Sequence, residues 1–148
     1  MLLAFWQSPS HFSGISKALI SQLPRATNSS TATIIIDEVV PALSELAVAT
    51  DSPDNYKEMN NALMKYLRPS TSTATEGGDS AHTRLAALKA EQALTDRLGE
   101  EWLTLLPEML PYISELMEDE DEMVERETRK WVKGIEDILG EKLDDMLT

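Results

Sequence analysis

The chain has 148 residues, 42% of them hydrophobic and 26% charged, which suits one compact domain or a few stacked repeats. It contains no cysteine, so disulfides and thiolate metal sites are excluded. Thirteen Lys and Arg residues oppose twenty-six Asp and Glu residues, and the net charge of −13 repels nucleic acid at long range. The composition therefore favours a protein partner over RNA. No apolar run reaches the roughly 18 residues of a membrane span, so no membrane partner is expected.

Apolar residues in the first half recur at helical spacing. They predict a short N-terminal helix that ends at Pro24 and a second helix over roughly residues 32–49. Ser52-Pro53 predicts the start of a third helix, which runs to Pro69, because serine caps a helix and proline suits its first turn. The stretch 69–79 is rich in Ser, Thr and Gly and is predicted to be a flexible loop.

The second half predicts three longer helices, over about residues 80–98, 101–117 and 121–139. The middle one should bend or begin irregularly, because Pro107 and Pro111 each remove a backbone donor. In the last one, carboxylates precede arginines by four residues, which predicts the ion pairs Glu122–Arg126 and Glu125–Arg129. Two tryptophans, Trp102 and Trp131, lie on apolar stripes and are predicted to be core residues.

A short sequence motif recurs at the ends of the predicted helices 80–98 and 121–139. Leu98-Gly99-Glu100 recurs as Leu139-Gly140-Glu141; Gly99 is predicted to be a left-handed helix C-cap, and the last long helix is predicted to end at Gly140. The offset of 41 residues lies in the range of about 40–47 that HEAT and armadillo helix pairs show. The sequence therefore predicts an all-α, HEAT-like α-solenoid of antiparallel helix pairs that ends in a capping unit. Its predicted parts are N-terminal helices over 1–68, the loop over 69–79, and C-terminal units with a tail over 80–148.

Several short motifs occur together in one order: Val39-Val40-Pro41, Arg84–Leu88, Leu105–Glu108, Glu115–Glu120, Val124-Glu125 and Leu139-Gly140-Glu141. In this combination the chain resembles the C-terminal HEAT-repeat region of the U-three small nucleolar RNA-associated protein 10 family, the large HEAT-repeat subunit of the small-subunit processome. The resemblance covers roughly residues 32–143. One departure is Thr83, which stands where a HEAT unit usually has valine.

The resemblance implies a non-catalytic scaffold in the nucleolus that organises assembly factors on precursor ribosomal RNA. The implied partners are other processome proteins and, for the whole assembly, precursor ribosomal RNA and the U-three small nucleolar ribonucleoprotein. No cofactor and no small-molecule substrate are implied. Two other interpretations stay open: a direct RNA-binding helical module, and a HEAT protein-interaction domain outside ribosome assembly.

Residues with catalytic or metal-binding chemistry are sparse. The acidic run Glu118–Glu122 lacks the ligand spacing and central glycine of a calcium loop, and is interpreted as a solvated turn. Its later carboxylates would favour the N-terminus of the following helix. His11 and His82 have no second ligand at metal spacing. We therefore predict no catalytic, cofactor-binding or metal-binding residue.

The one dense basic cluster consists of Arg126, Arg129, Lys130 and Lys133, which helical spacing places on neighbouring faces. It is either a docking patch for RNA phosphate or an acidic protein, or a set of cations that pair with nearby carboxylates. Trp6 is a second docking candidate, since tryptophan is enriched in interfaces, although a core position is equally compatible with its apolar segment.

The two ends of the chain differ in polarity. The predicted helix 121–139 is heavily charged, whereas no charged residue precedes Lys17. A solenoid ends stably when its outermost helix turns a polar face to solvent. If the chain is the tail of a longer array, residues 1–23 should associate with another surface or be stabilised by upstream helices.

Overall fold

A computed structural model describes residues 9–26, 28–50, 52–67, 81–143 and 146, and these residues contain helices and turns but no strand. The α-helices are α1 Pro9–Ile20, α2 Ser29–Thr50, α3 Pro53–Met64, α4 Ala81–Leu98, α5 Leu106–Leu116 and α6 Glu122–Leu139. Two 3₁₀ segments, Leu23–Arg25 and Gly99–Leu105, lie between them. The all-α prediction is confirmed. Trp6 and the predicted loop 69–79 lie outside the described residues, and the three-part division stays a prediction.

The helices alternate between two rows. In one row α4 lies between α2 and α6 and contacts both. In the other row α1 contacts α3, and α3 contacts the 3₁₀ segment that leads into α5. Contacts between α1 and α2, α3 and α4, and α5 and α6 join the rows. This arrangement is that of an α-solenoid. The grouping of its helices into HEAT repeats stays a prediction.

Local backbone signals set most of the helix ends. Ser52 is extended and Pro53 is the first residue of α3, as predicted, although the Ser52 side chain makes no capping hydrogen bond. The backbone N–H of Val124 donates to Asp121 Oδ1 at 3.0 Å and caps the start of α6. The predicted irregular start near Pro107 is also confirmed, because the 3₁₀ segment precedes α5.

The repeated Leu-Gly-Glu motif adopts the same backbone conformation in both copies. Gly99 has φ 58° and Gly140 has φ 86°, so both are left-handed, as predicted for Gly99. A residue with a Cβ is strained in this region, which explains why glycine follows α4 and α6.

Three of the predicted helix ends in the first half were wrong. α1 ends at Ile20 rather than at Pro24, which lies in the following 3₁₀ segment. α2 begins at Ser29 rather than near residue 32, because Asn28 caps it. The Thr31 backbone N–H donates to Asn28 Oδ1 at 3.0 Å, and the Asn28 N–H donates to Thr31 Oγ1 at 3.1 Å. This reciprocal cap turns a polar stretch that resembles a linker into a helix start. The third helix ends at Met64 rather than at Pro69.

The core runs between the two rows. Its largest fully buried side chains are Trp102, Phe12, Leu23, Leu43, Met59, Leu63, Leu67, Leu88, Leu94, Met109, Ile113 and Leu116. Trp102 and Trp131 are both buried, which confirms their predicted core positions. Their ring centroids lie 5.7 Å apart in an edge-to-face arrangement. Trp131 Nε1 donates to Thr95 Oγ1 at 2.8 Å, so the only polar atom of this indole is satisfied.

The threonine that departs from the HEAT pattern has a structural explanation. Thr83 is 1% exposed, and its Oγ1 donates to the carbonyl oxygen of Ala26 at 3.2 Å. Valine has the same shape but cannot make this bond, which ties α4 to the turn that follows α1.

A largely apolar groove lies between α1 and α2. Ile15 and Leu19 of α1 and Ala42, Glu45, Leu46 and Ala49 of α2 line it, and its volume is about 490 Å³. Association through residues 1–23 stays a prediction. No helix in the described part of the chain is long and apolar enough to cross a membrane.

Trp131→Ala should lower the free energy of unfolding by about 3–5 kcal/mol, because it empties a large core volume. It also leaves the Thr95 hydroxyl without the indole donor. Trp131→Phe is the matched control, because it keeps a ring in place and removes the hydrogen bond, at an expected cost of about 1–2 kcal/mol. Urea unfolding followed by circular dichroism measures both. A nearly neutral Trp131→Ala would contradict the core position.

Candidate interaction surface

The predicted basic cluster lies on the outer face of α6. The opposite face is buried against α4, α5 and the 3₁₀ segment through Val124, Thr128, Trp131 and Ile135. Helical spacing therefore turns the cations outward, and Arg126, Arg129, Lys130 and Lys133 are all exposed. The structure brings these four residues together on one surface, which we call the α6 basic surface.

Two of the four cations are paired with carboxylates. Arg129 Nη2 lies 3.4 Å from Glu125 Oε2, as predicted, and Lys130 Nζ lies 3.1 Å from Glu127 Oε2. The predicted pair between Glu122 and Arg126 does not form. Arg126 and Lys133 make no ion pair within the described residues, and they are seven residues apart, so they project about 10 Å apart along the helix axis.

The charge of α6 as a whole is mixed. Its four cations stand among five carboxylates between Glu122 and Leu139. Beyond its end, Lys142 Nζ lies 3.8 Å from Glu136 Oε1. The surface therefore presents two unpaired cations in an acidic surrounding, rather than a continuous positive stripe of the kind that binds phosphate strongly.

The buried Glu127 lies at one edge of the α6 basic surface and binds Lys130 there. Its carboxylate accepts hydrogen bonds from Lys89 Nζ at 2.7 Å and Lys130 Nζ at 3.1 Å. Gln92 Nε2 donates to the Glu127 backbone oxygen at 2.8 Å. Burial by itself would raise the pKa of Glu127, but the donors outweigh it and lower the pKa to about 2. Lys130 is thus held in place by a carboxylate that stays ionised.

The acidic turn before α6 is only partly solvated. Glu118, Glu120 and Glu122 are exposed, as predicted. The prediction was wrong for Asp119, whose side chain is 5% exposed and accepts two bonds from Arg84. Arg84 Nε lies 2.9 Å from Asp119 Oδ2, and Arg84 Nη2 lies 3.0 Å from Oδ1. This bidentate ion pair joins the acidic turn to α4.

The structure places no other predicted residue in this surface. His82 is half-buried beside a groove formed by the starts of α2, α4 and α6. Among the described residues no group of three or more His, Asp or Glu side chains is arranged to hold a metal ion. Trp6 and the side chain of His11 lie outside the described residues.

The two-row helical architecture and its exposed, mixed-charge outer helix define an α-solenoid protein. No family profile matches the chain. Individual relatives do match it. The chain is 70% identical over 147 residues to U3 small nucleolar RNA-associated protein 10 of Aspergillus clavatus and 72% identical over 146 residues to that of Aspergillus fumigatus. The protein of the same name from Emericella nidulans is 60% identical over 154 residues.

Each of these matches covers 97% of the chain, and the chain spans only 8–9% of the length of these relatives. The family predicted from the motifs is therefore confirmed, and this chain is a homologue of a segment of U3 small nucleolar RNA-associated protein 10.

Glu127→Gln should destabilise the chain by about 1–3 kcal/mol near neutral pH, because Lys89 and Lys130 lose a charged acceptor. The pKa of Glu127 is lowered in the folded chain, so its stabilisation is complete above the ordinary value of 4.5 and is lost as the pH falls towards about 2. Urea unfolding of both chains across this range should show the difference shrinking in acid. The exposed Glu118→Gln is the control, with an expected effect within about 0.5 kcal/mol. A Glu127→Gln cost that does not change with pH would contradict this role.

Proposed function

We propose that this chain is a non-catalytic scaffold segment in small-subunit ribosome biogenesis, the C-terminal part of a processome HEAT-repeat protein. The observation that carries the proposal is the 60–72% identity, over 97% of the chain, to proteins whose name states an association with the U3 small nucleolar RNA. The proposed location is the nucleolus. The proposed partners are other processome proteins and, through the whole assembly, precursor ribosomal RNA and the U3 ribonucleoprotein.

We propose that the segment acts by presenting a rigid, extended binding surface to other assembly factors. Stacked helices expose long outer faces, and each helix buries its apolar stripe only on its neighbours. α6 suits the end of such an array, because one face packs on α4 and α5 while the other is charged and exposed. A segment of this kind can hold several assembly factors at fixed positions without any chemical step.

Charge supports protein rather than RNA as the direct contact of this segment. The chain carries a net charge of −13, and phosphate binding depends on clustered cations. On the α6 basic surface, Arg129 and Lys130 are already paired with carboxylates.

Direct RNA binding is the second candidate, favoured by the exposed and unpaired Arg126 and Lys133. Exposed ion pairs contribute little to stability, so Arg129 could exchange Glu125 for a phosphate at small cost. All four residues of the α6 basic surface would then contact one backbone segment.

The scaffold proposal predicts that Trp131→Ala, introduced into the full-length relative, reduces co-purification of U3 small nucleolar RNA and processome proteins and increases unprocessed precursor RNA.

The double substitution Arg126→Glu/Lys133→Glu should leave the RNA affinity of the 148-residue chain unchanged. Fluorescence anisotropy with precursor leader RNA over a salt series measures this affinity, and weak binding without a steep salt slope is expected.

The matched control is Lys17→Glu/Lys65→Glu, which makes the same change in charge at exposed positions on other parts of the chain. Tight, salt-dependent binding that is lost in the α6 double variant and kept in the control would replace the scaffold proposal with direct RNA binding. Unchanged co-purification with Trp131→Ala, in protein shown to be destabilised, would contradict the scaffold role.

A further inference from the structure

A groove runs between the C-terminal halves of α4 and α6. Its volume is about 370 Å³, and its lining includes Thr95 and Asp96 of α4 and Trp131, Gly134, Asp137 and Ile138 of α6. This volume lies at the lower end of the roughly 300–1,000 Å³ of ligand pockets, so the groove suits a few side chains rather than a folded element. It shares only Lys130 with the α6 basic surface.

The two helices that form the groove run parallel. Lys89 and Gln92 of α4 both contact Glu127 of α6, at offsets of 38 and 35 residues in the sequence. Thr95 contacts Trp131 at an offset of 36 residues. Because the offset is nearly constant, both helices advance in the same direction. Their C-terminal ends, which carry the negative ends of the helix dipoles, therefore lie at the same end of the groove.

Asp96 and Asp137 give the groove a negative rim. Both carboxylates are exposed, and neither makes an ion pair within the described residues. The cation adjoining Asp96 in the sequence, Arg97, binds a carboxylate of α2 instead, and Lys130 at the other end of the groove is paired with Glu127. The groove therefore keeps uncompensated negative charge, which attracts cations and repels phosphate.

The floor of the groove suits the aliphatic part of a long side chain. The indole of Trp131 is 2% exposed, and its one polar atom is already bound to Thr95. Ile138 is half-buried and lines the same groove. Lysine and arginine lay their aliphatic stems on apolar surface and keep their charged heads in water. An apolar floor with a negative rim matches both parts of such a side chain.

Gly134 keeps the α6 side of the groove open. It lies in the interior of α6, and its φ is not positive, since Gly99 and Gly140 are the positive-φ glycines of the described residues. A Cβ at this position would meet no atom within 4 Å. Neither the backbone conformation nor packing within the chain requires glycine here, although glycine weakens a helix interior relative to alanine. Its effect is to let a bound group approach the backbone of α6 closely.

We propose that this groove is a docking site for a short basic segment of a protein partner. One lysine or arginine of the segment pairs with Asp96 and a second with Asp137, and their aliphatic stems lie over Gly134 and Trp131. The negative rim selects a basic protein segment over nucleic acid. The site has the opposite charge to the α6 basic surface, and its binding does not depend on the proposed role in ribosome biogenesis.

Binding of a defined basic peptide to the 148-residue chain tests the charge of the site. The probe is a short fluorescein-labelled peptide of alternating lysine and alanine, measured by anisotropy at about 0.15 M salt. Asp96→Asn/Asp137→Asn should raise the Kd about tenfold, because two ion pairs are lost. The control Asp37→Asn/Glu58→Gln removes the same charge at exposed positions of α2 and α3 and should change the Kd by less than about twofold. Equal weakening in the two double variants, or no measurable binding to the unsubstituted chain, would overturn the proposal.

Gly134→Leu tests the shape of the groove without a change in charge. Leucine is a better helix former than glycine and its side chain fills the groove, so the Kd should rise about tenfold while the melting temperature is not lowered. Gly14→Leu is the matched control, because Gly14 is exposed in α1 and a Cβ there also meets no atom within 4 Å. It should leave the Kd unchanged.

If Gly134→Leu lowers the melting temperature, Gly134→Ala takes its place, with an expected rise in the Kd of about threefold. NMR spectra of the unsubstituted chain locate the bound peptide. The backbone signals of Gly99 and Gly134 and the indole N–H signal of Trp131 should shift on addition of the peptide, and the signal of Gly14 should not. Full affinity in a stably folded Gly134 variant, or shifts that leave these three signals unchanged, would also overturn the proposal.

Discussion

The central helix α4 packs against α2, α6 and the opposite row, so its buried polar groups cannot reach bulk water and must be satisfied by neighbouring elements. Contacts of this kind join α4 to four other elements or turns: Thr83 to Ala26, Arg84 to Asp119, Lys89 and Thr95 to Glu127 and Trp131 of α6, and Glu91 to Asn60. The positions of α1, α3, the acidic turn and α6 all depend on these contacts.

These contacts define the helix register more than they add stability. Buried ion pairs such as Arg84–Asp119 pay a desolvation cost that offsets much of their attraction, yet removing one partner leaves an uncompensated charge. The apolar packing supplies the net driving force. Ala86, Ala87 and Ala90 are fully or nearly fully buried, and their small side chains let α4 approach its neighbours closely. Close approach and polar matching together allow one arrangement of the two rows.

Local sequence signals predicted the elements well. Periodic apolar residues gave the helices of the second half, the left-handed Gly99 and Gly140 marked two helix ends, and both tryptophans lay in the core as predicted. The start of α2 was missed because the cap by Asn28 and Thr31 has the composition of a loop.

The buried polar contacts could not be predicted, because each partner lies on another element and more than thirty residues away in the sequence. The one available signal was the presence of Arg84 and Glu91 within the apolar stripes of α4. The basic residues of α6 were placed correctly on one surface, but which of them pair with carboxylates depends on side-chain geometry that helical spacing does not fix.

Native-state hydrogen exchange of the 148-residue chain measures most directly whether α4 holds the array together. The slowest backbone amides should belong to α4, and the central amides of α2 and α6 should exchange with nearly the same opening free energy, as one cooperative unit. Exchange of α5 and α6 through an opening that leaves α2 and α4 protected, or exchange of α4 as fast as that of the terminal helix α1, would contradict this account.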